Sequence, residues 1–236
     1  MIDYSIMREK ANLHGISLSD DQIQMLDRYA EMLVDWNTRI NLTGITDSDG
    51  IMTRHFEDSL SLLQYVNLSE GGSLIDIGTG AGFPGMVLKI IRPDLKVTLL
   101  DSLNKRINFL NAVASELGLS ISCIHLRAEE GGRVPQHREK YDAACARAVS
   151  NLRELSEYCI PYVKIGGQFI SMKGPDISEE LNAARPGIGT LGGKVRSVDE
   201  YAISDGSRRT IVCIDKVKST PPQYPRASAK IQKKPL

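Results

Sequence analysis

The chain has 236 residues, of which 42% are hydrophobic and 25% charged, and its 29 basic residues balance 29 acidic ones. This length and composition fit one large globular domain, or one domain with a small attachment. No apolar run approaches the ~20 residues that span a bilayer, and the first residues lack the pattern of a signal peptide.

The four cysteines lie far apart in mostly apolar sequence, without a CxxC pair. This spacing is typical of reduced thiols and not of disulfides or zinc ligands, so we expect a cytoplasmic protein without a metal site or a membrane anchor. We also expect a monomer.

Residues 1–70 are expected to form an N-terminal helical segment packed on the core. Ser19 and Gln22 make a capping-box pattern, and apolar residues then recur every three or four positions, at Ile23, Leu26, Tyr29, Leu33 and Trp36. A further helix is predicted over residues 53–65. The Gly-Gly-Ser stretch that follows marks a domain boundary.

Residues 71–218 alternate short apolar strands with helical segments, which predicts an α/β, Rossmann-like domain with a mostly parallel sheet and helices on both faces. Five strands are expected, at 73–77, 96–101, 121–126, 141–147 and 167–174. Two strand-like pieces within 194–217 are expected to close the domain as an antiparallel hairpin.

The stretch LIDIGTGAGFPG, residues 74–85, spans the end of the first predicted strand and the turn after it. Glycine loses the most conformational entropy on folding, so this cluster needs a reason. Open α/β sheets bind phosphates or nucleotides at such a strand-to-helix turn, where a ligand approaches the backbone. The context favours a ligand site over a purely structural turn.

The glycine pattern fits two cofactors. Gly80, Gly82 and Gly85 satisfy the dinucleotide pattern GxGxxG, while Asp76 with the alternating glycines satisfies DxGxGxG, associated with S-adenosylmethionine enzymes. Asp101 ends the second strand, where a carboxylate meets the ribose hydroxyls of either cofactor; its other interpretation is a cap of the following helix.

Three further residues follow later strands. Glu129 and Glu130 come after the third, on the side expected for an adenine ring, and Arg147 ends the fourth. Each alone also fits a solvated turn or a salt bridge. Together with Asp101 they form an ordered set along one edge of the sheet.

Several motifs in the chain, taken in order, resemble the bacterial 16S ribosomal RNA guanine-N7 methyltransferase family, also called glucose-inhibited division protein B. They are WNTRINLTGI (36–45), RHFEDSL (54–60), DIGTGAGFPG (76–85), LLDSLNKRINFL (99–110), RAEE (127–130), ARA (146–148), MKG (172–174) and YPR (224–226). The family usually has a Gly-, Pro- and Lys-rich string after YPR, whereas this chain reads ASAKIQKKPL.

The resemblance implies an S-adenosylmethionine-dependent methyltransferase fold with an N-terminal helical cap, and 16S ribosomal RNA of the small subunit as partner. S-adenosyl-L-methionine would be held by residues along the sheet edge: Gly78, Gly80, Phe83, Asp101, Ala128, Glu129 and Arg147. Guanine N7 carries a lone pair and no proton, so positioning replaces general acid–base catalysis, and no catalytic acid or base is expected.

Other residues are expected to serve the substrate side. Arg147 and Lys173 are candidates for orienting the base, which must lie in a loop or be flipped out. The resemblance places the RHFEDSL residues Arg54, His55 and Asp58 where the helical segment closes over the site. Trp36 and Asn37 are expected to hold this segment against the sheet.

Residues 219–236 are predicted to form a basic C-terminal tail. From Lys216 onward there are six basic residues and no acidic one, leaving 23 basic and 29 acidic residues in the body. A basic tail on an acidic body suits a polyanion, and its other interpretation is a solvated, disordered chain. We expect the tail to serve the RNA and not the methyl donor.

Two alternative functions stay open at this point. One is an NAD-dependent oxidoreductase that uses GxGxxG, although no hydride-transfer constellation is visible. The other is a non-catalytic ribosomal RNA-binding assembly factor that uses the basic tail.

Overall fold

The computed structural model describes residues 1–147 and 150–236; Ala148, the last residue of the ARA motif, lies outside them. The helices are α1 (Tyr4–Leu13), α2 (Asp20–Asn37), α3 (Ser48–Gly50), α4 (Asp58–Ser61), α5 (Gly85–Ile91), α6 (Asn104–Glu116), α7 (Ala128–Gly131), α8 (Leu152–Cys159), α9 (Ser178–Thr190) and α10 (Ser228–Lys233). The strands are β1 (Ser73–Ile77), β2 (Lys96–Asp101), β3 (Ser122–His125), β4 (Tyr141–Arg147), β5 (Val163–Lys173), β6 (Gly193–Ala202) and β7 (Arg208–Lys216).

The strands form one seven-stranded sheet in the order β3-β2-β1-β4-β5-β7-β6. The first five are parallel, and β7 pairs antiparallel with both β5 and β6. This confirms the predicted mostly parallel sheet and its closing hairpin. The strand order reverses between β1 and β4, and open α/β sheets bind ligands beyond the carboxyl ends of the strands at such a point.

Side chains that alternate along each strand contribute to two hydrophobic cores, one on each face of the sheet. Leu99 belongs to the core that also contains residues of α2 and α6, and Leu100 to the core that contains residues of α8 and α9. Both faces of the sheet are therefore covered. No helix among residues 1–147 and 150–236 is long and apolar enough to cross a membrane.

The helix predicted over 53–65 begins earlier than expected. Asp47 caps α3, accepting a hydrogen bond from Gly50 N at 2.7 Å. The chain continues as a π-helical stretch, Ile51–Glu57, then as α4 and a 3-10 turn, Leu62–Gln64. We call residues 48–64 the cap segment. Its π-helical turn carries Arg54 and His55.

The tail is not a solvated chain. Lys216 belongs to β7 and is buried, with its ammonium 3.0 Å from the Glu139 carboxylate, and Arg226 pairs with buried Glu157 at 2.6 Å. Ile231 in α10 is fully buried. Counting Lys216 and Arg226 as free charges for a polyanion was therefore wrong, because each is paired within the protein. Lys218, Lys230, Lys233 and Lys234 are exposed.

Candidate active site

The glycine loop after β1 needs its glycines for two different reasons. Gly82, with φ +101°, and Gly85 are required by packing: a Cβ at Gly82 would lie 2.5 Å from the Tyr29 hydroxyl, and one at Gly85 would overlap the Leu99 side chain. Gly78 and Gly80 also have positive φ, +70° and +62°. A Cβ at Gly80 would meet nothing closer than 4.0 Å, so this part of the loop leaves its backbone open to a ligand.

Two buried carboxylates fix the shape of the loop. Asp76 accepts hydrogen bonds from Thr79 Oγ1 at 2.7 Å and Gly85 N at 2.9 Å, and its second oxygen has no hydrogen-bond partner among the described residues. Burial raises the pKa of this carboxyl to about 6. Asp101 accepts from Gly80 N at 2.9 Å and from Leu103 N at 2.9 Å.

These contacts bear on the role predicted for Asp101. Its carboxylate ties the glycine loop to the start of α6 and also accepts from Arg106 at 3.3 Å. Leu103, and not Asp101, is the N-cap residue of α6. The predicted contact with the ribose stays a prediction.

A first cavity, of about 140 Å³, opens at the carboxyl ends of β1, β2 and β3. It brings together Gly78, Ala128 and Glu129, which the sequence analysis placed in one pocket. The other residues that line it are Ile77, Leu100, Ser102, Leu126, Arg127, Tyr158 and Ser228. Its walls are apolar with a few polar groups, as is usual where a protein binds a small organic molecule.

A second cavity, of about 380 Å³, lies between the ends of β4 and β5 and the cap segment. It is lined by Ile45, Arg54, His55, Asp58, Arg147, Met172, Lys173, Gly174 and Arg209. Arg147, predicted for the cofactor, and Lys173, predicted for the base, thus line one space. The cap segment supplies three of the polar residues, as the RHFEDSL motif led us to expect.

Asp58 binds three side chains around the second cavity. Its buried carboxylate accepts from Arg147 Nη1 at 3.0 Å, from Arg209 Nε at 3.2 Å and from the Tyr201 hydroxyl at 3.1 Å. The sequence analysis missed Tyr201 and Arg209, which lie on the closing hairpin. The sequence analysis predicted this hairpin but not its pairing with the fifth strand, and it is this pairing that brings the two residues to the edge.

His55 is held in its neutral form. Burial lowers the pKa of its imidazole from 6.5 to about 3, and the Arg147 guanidinium acts in the same direction. The ring stacks on Phe83 with 4.4 Å between centroids, and its Nε2 lies 2.8 Å from Thr43 Oγ1. Arg147 lies over the same Phe83 ring at 5.1 Å, a cation–π arrangement. Phe83 therefore connects the glycine loop to the second cavity.

Lys173 is engaged by neighbouring residues. Its ammonium donates to Ser150 O at 2.7 Å and lies 2.7 Å from the Glu180 carboxylate. Glu180 also accepts from Leu152 N, at the start of α8. This arrangement ties β5 and α9 to the start of α8. An orienting contact between Lys173 and a base stays a prediction.

The N-terminal helices reach the glycine loop through aromatic residues. Tyr29 of α2 is fully buried and donates its hydroxyl proton to Ala81 O, and Trp36 packs against Phe109 of α6 at 5.6 Å. Contrary to the prediction, Asn37 does not hold the helical segment against the sheet. Its side chain forms hydrogen bonds with the backbone of Leu42 and Thr43. The chain turns back toward α2 there, and these backbone groups need hydrogen-bond partners.

Comparison with known families identifies the group to which the chain belongs. Residues 22–211 match the model of the GidB family, described as rRNA small subunit methyltransferase G. The chain belongs to this family. It is 46% identical over 235 residues to the ribosomal RNA small subunit methyltransferase G of Clostridium perfringens (99% of this chain, 98% of that protein). It is 47% identical over 234 residues to that of Alkaliphilus metalliredigens (98% of each).

Solved structures show the same fold at low sequence identity. A SAM-dependent methyltransferase from Aquifex aeolicus is 23% identical, with a TM-score of 0.52 over 72% of this chain and 94% of that one. A geranyl diphosphate C-methyltransferase from Streptomyces coelicolor is 12% identical, with a TM-score of 0.53 over 67% and 78%. The Rossmann-like methyltransferase fold is confirmed. The comparisons support neither the oxidoreductase nor the assembly-factor alternative.

Proposed function

We propose that the protein transfers the methyl group of S-adenosyl-L-methionine to N7 of a guanine in 16S ribosomal RNA of the small subunit. Family membership supports the enzyme class and the ribosomal substrate. The observation that carries the proposal is the pair of cavities on either side of the glycine loop. One has apolar walls and an open backbone, and the other is lined by arginines.

The first cavity fits the cofactor. Gly78 and Gly80 leave the loop backbone accessible, and Asp101 lies behind it through Gly80 N. Ala128 and Glu129 face the same space from α7. These residues, with Phe83 at the end of the loop and Arg147 beyond it, would hold S-adenosylmethionine, which supplies a methyl group on a positively charged sulfur.

The second cavity suits a base that needs only to be positioned. Guanine N7 has a free lone pair and no proton, so the protein has no proton to remove, and holding the two reacting atoms in line supplies much of the acceleration. This agrees with the neutral state of His55. Arg147, fixed by Asp58, lines this cavity and would orient the base through O6 or a phosphate oxygen.

The surroundings of the second cavity suit an RNA chain. Arg54 is half-exposed at its rim, and Arg209 and Lys173 also line it. Arginine and lysine side chains bind phosphate oxygens, and a guanine stacked within a helix does not reach a pocket at a sheet edge. The N-terminal segment, residues 1–70, would thus shape the RNA side together with the ends of β4 and β5, while the ends of β1, β2 and β3 would hold the cofactor.

The proposal is tested by tritiated-methyl transfer to small ribosomal subunits from cells that lack this enzyme, followed by nucleoside analysis of the digested RNA. We expect label in 7-methylguanosine alone. Label in another nucleoside would contradict the proposed acceptor atom. Subunits from cells that contain the enzyme serve as the control, because their site is already methylated.

A further inference from the structure

The C-terminal segment, residues 219–236, is bound to α8. The Arg226 guanidinium contacts the fully buried Glu157 carboxylate at 2.6 Å and 2.9 Å, and Arg226 N donates to the same carboxylate at 2.7 Å. Paired, charge-assisted hydrogen bonds of this kind are among the stronger polar contacts in proteins. The segment is therefore fastened just before α10.

The same segment also touches the end of α7. Arg133 Nε donates to Pro225 O at 2.7 Å, and a Cβ at Gly132 would lie 3.0 Å from Pro225 Cγ. Both Gly132 and Arg133 follow directly after the helix that carries Ala128 and Glu129. The segment thus bridges the two helices that frame the first cavity.

Ser228, the first residue of α10, lines the first cavity together with Gly78 and Ala128. Its hydroxyl oxygen lies 3.0 Å from that of Tyr158, a buried residue of α8 that also lines the cavity. A neighbouring space of about 240 Å³ shares Glu129 and Ser228 with the first cavity. The first cavity and this neighbouring space therefore form one groove, which runs from the glycine loop to the C-terminal segment.

We infer that the hydroxyl pair of Tyr158 and Ser228 is a further part of the cofactor site, and that the C-terminal segment forms its outer wall. The inference rests on the proposed function. Apolar walls such as Leu100 and Leu126 fit the faces of an adenine ring, whose edge carries donors and acceptors. Hydroxyl groups both donate and accept, so this pair matches that edge.

The inference changes the role expected for the segment. The sequence analysis assigned it to the RNA alone, whereas Ser228 faces the first cavity. Lys230 and Lys233 are exposed on the same short helix, and exposed Lys234 directly follows it. The segment therefore contacts the methyl donor on its inner side and presents positive charge to solvent on its outer side.

The test compares two equal increases in bulk on α10. Ser228→Leu places a side chain in the groove, and Ala229→Leu, at the exposed neighbouring position, is the matched control. Calorimetric titration with S-adenosylhomocysteine should show at least about tenfold weaker binding for Ser228→Leu. The control should bind like the wild type. Wild-type affinity in Ser228→Leu would overturn the inference.

Two measurements keep the test independent of misfolding. Tyr158→Phe, which removes one hydroxyl, should weaken binding about three- to tenfold without a loss of secondary structure. In the wild type, S-adenosylhomocysteine should slow amide hydrogen exchange at residues 226–233, and unchanged exchange there would overturn the outer wall. A wild-type protein that does not bind S-adenosylhomocysteine would overturn the proposed function itself.

Discussion

The two cavities at the carboxyl edge of the sheet are lined by different kinds of residue. The first consists of apolar side chains and glycine backbone, fixed from behind by Asp76 and Asp101. The second is lined largely by cationic side chains, of which Arg147 and Arg209 are fixed by the carboxylate of Asp58. The fold thus separates a largely apolar surface, which we propose for the methyl donor, from a charged surface, which we propose for the RNA.

The difference lies in how each cavity is held. The glycine loop of the first cavity depends on local contacts within β1, the loop and β2, because Asp101 is 21 residues from Gly80. The second depends on distant parts of the chain, because Asp58 is 89 residues from Arg147 and 151 from Arg209. Variants that affect one cavity and spare the other test whether they work independently.

The largest effect is expected for Gly78→Val. A branched side chain there would enter the first cavity, and at φ +70° it also costs about 1–2 kcal/mol of backbone strain. Titration with S-adenosylhomocysteine should show affinity reduced by about a hundredfold or more, about 3 kcal/mol.

Gly71→Val is the matched control for the strain. Gly71 has a φ of +72°, and a Cβ there would meet nothing within 4 Å. Both variants should lose similar thermal stability, and the control should keep its affinity. If the two variants bound S-adenosylhomocysteine equally well, Gly78 would not belong to the cofactor site.

Asp58→Asn is expected to act mainly on the second cavity. The amide keeps the shape but removes the charge that orients Arg147 and Arg209. Misplacement of a positioning group by about 1 Å costs about a hundredfold in rate, so methyl transfer to ribosomal subunits should fall by about that factor. Affinity for S-adenosylhomocysteine should fall much less, because Arg147 is only one of the residues proposed to hold the cofactor.

Asp205→Asn provides the comparison for Asp58→Asn. Asp205 pairs with half-exposed Arg54 at 3.0 Å, and surface pairs contribute about 0–1 kcal/mol. Its effect on methyl transfer should therefore be small. If Asp58→Asn weakened the methyl donor as much as it slowed transfer, the two cavities would not be independent.

Asp101→Ala distinguishes the two interpretations of its carboxylate. Loss of hydrogen bonds to a charged group should weaken S-adenosylhomocysteine binding by about 1–3 kcal/mol, together with a fall in thermal stability. Asp94→Ala removes a carboxylate that binds Arg92 and Gly71 N near the opposite edge of the sheet, and should lower stability alone. If Asp101→Ala also lowered stability without weakening S-adenosylhomocysteine binding, Asp101 would have only a structural role.

Local patterns in the sequence were sufficient to predict the strands and the glycine loop. Short apolar runs placed all seven strands, although β5 begins at Val163 and not at residue 167. The DxGxGxG spacing placed Asp76 beside the loop it fixes. The contacts of Asp58 were not predictable in this way, because Arg147, Tyr201 and Arg209 come together only in the folded sheet. Lys216 shows the same limit: a count of charges does not reveal that Glu139 lies 3.0 Å from its ammonium.

Asp76, behind the glycine loop, and His55, in the second cavity, should change the free energy of unfolding with pH in opposite directions. With its pKa raised to about 6, Asp76 keeps a proton in the folded state that the unfolded chain has lost, so the free energy of unfolding falls as pH rises from about 4 to about 6. His55, with a pKa of about 3, lacks a proton that the unfolded chain binds below 6.5. Its contribution therefore rises with pH over the range from about 3 to 6.5.

These slopes oppose each other in the wild type, so single variants are needed to separate them. Asp76→Asn keeps an oxygen that accepts from Thr79 and Gly85, and should remove the fall between pH 4 and 6. His55→Gln should remove the rise. Urea unfolding at several pH values measures both differences, and a variant curve parallel to the wild type would contradict the assigned pKa.

The smallest effect is expected at three exposed lysines, Lys230 and Lys233 of α10 and Lys234 directly after it. Each lysine that contacts a phosphate releases counterions and adds about 0.7–0.9 to the slope of log affinity against log salt concentration. Replacing Lys230, Lys233 and Lys234 by Gln should therefore lower the slope of ribosomal RNA binding by at most about 2–3. Affinity for S-adenosylhomocysteine should not change, because these side chains point to solvent and Ser228 is kept.

The control for α10 is a triple variant with the same loss of charge at the opposite edge of the sheet. Lys96 and Lys194 lie at the amino ends of β2 and β6, and Lys140 directly precedes β4; all three are exposed. Their replacement by Gln should leave the salt slope unchanged, because this edge faces away from both cavities. Equal slopes for the two triple variants would mean that the α10 lysines act only through net charge, and that the RNA contacts end at the rim of the second cavity.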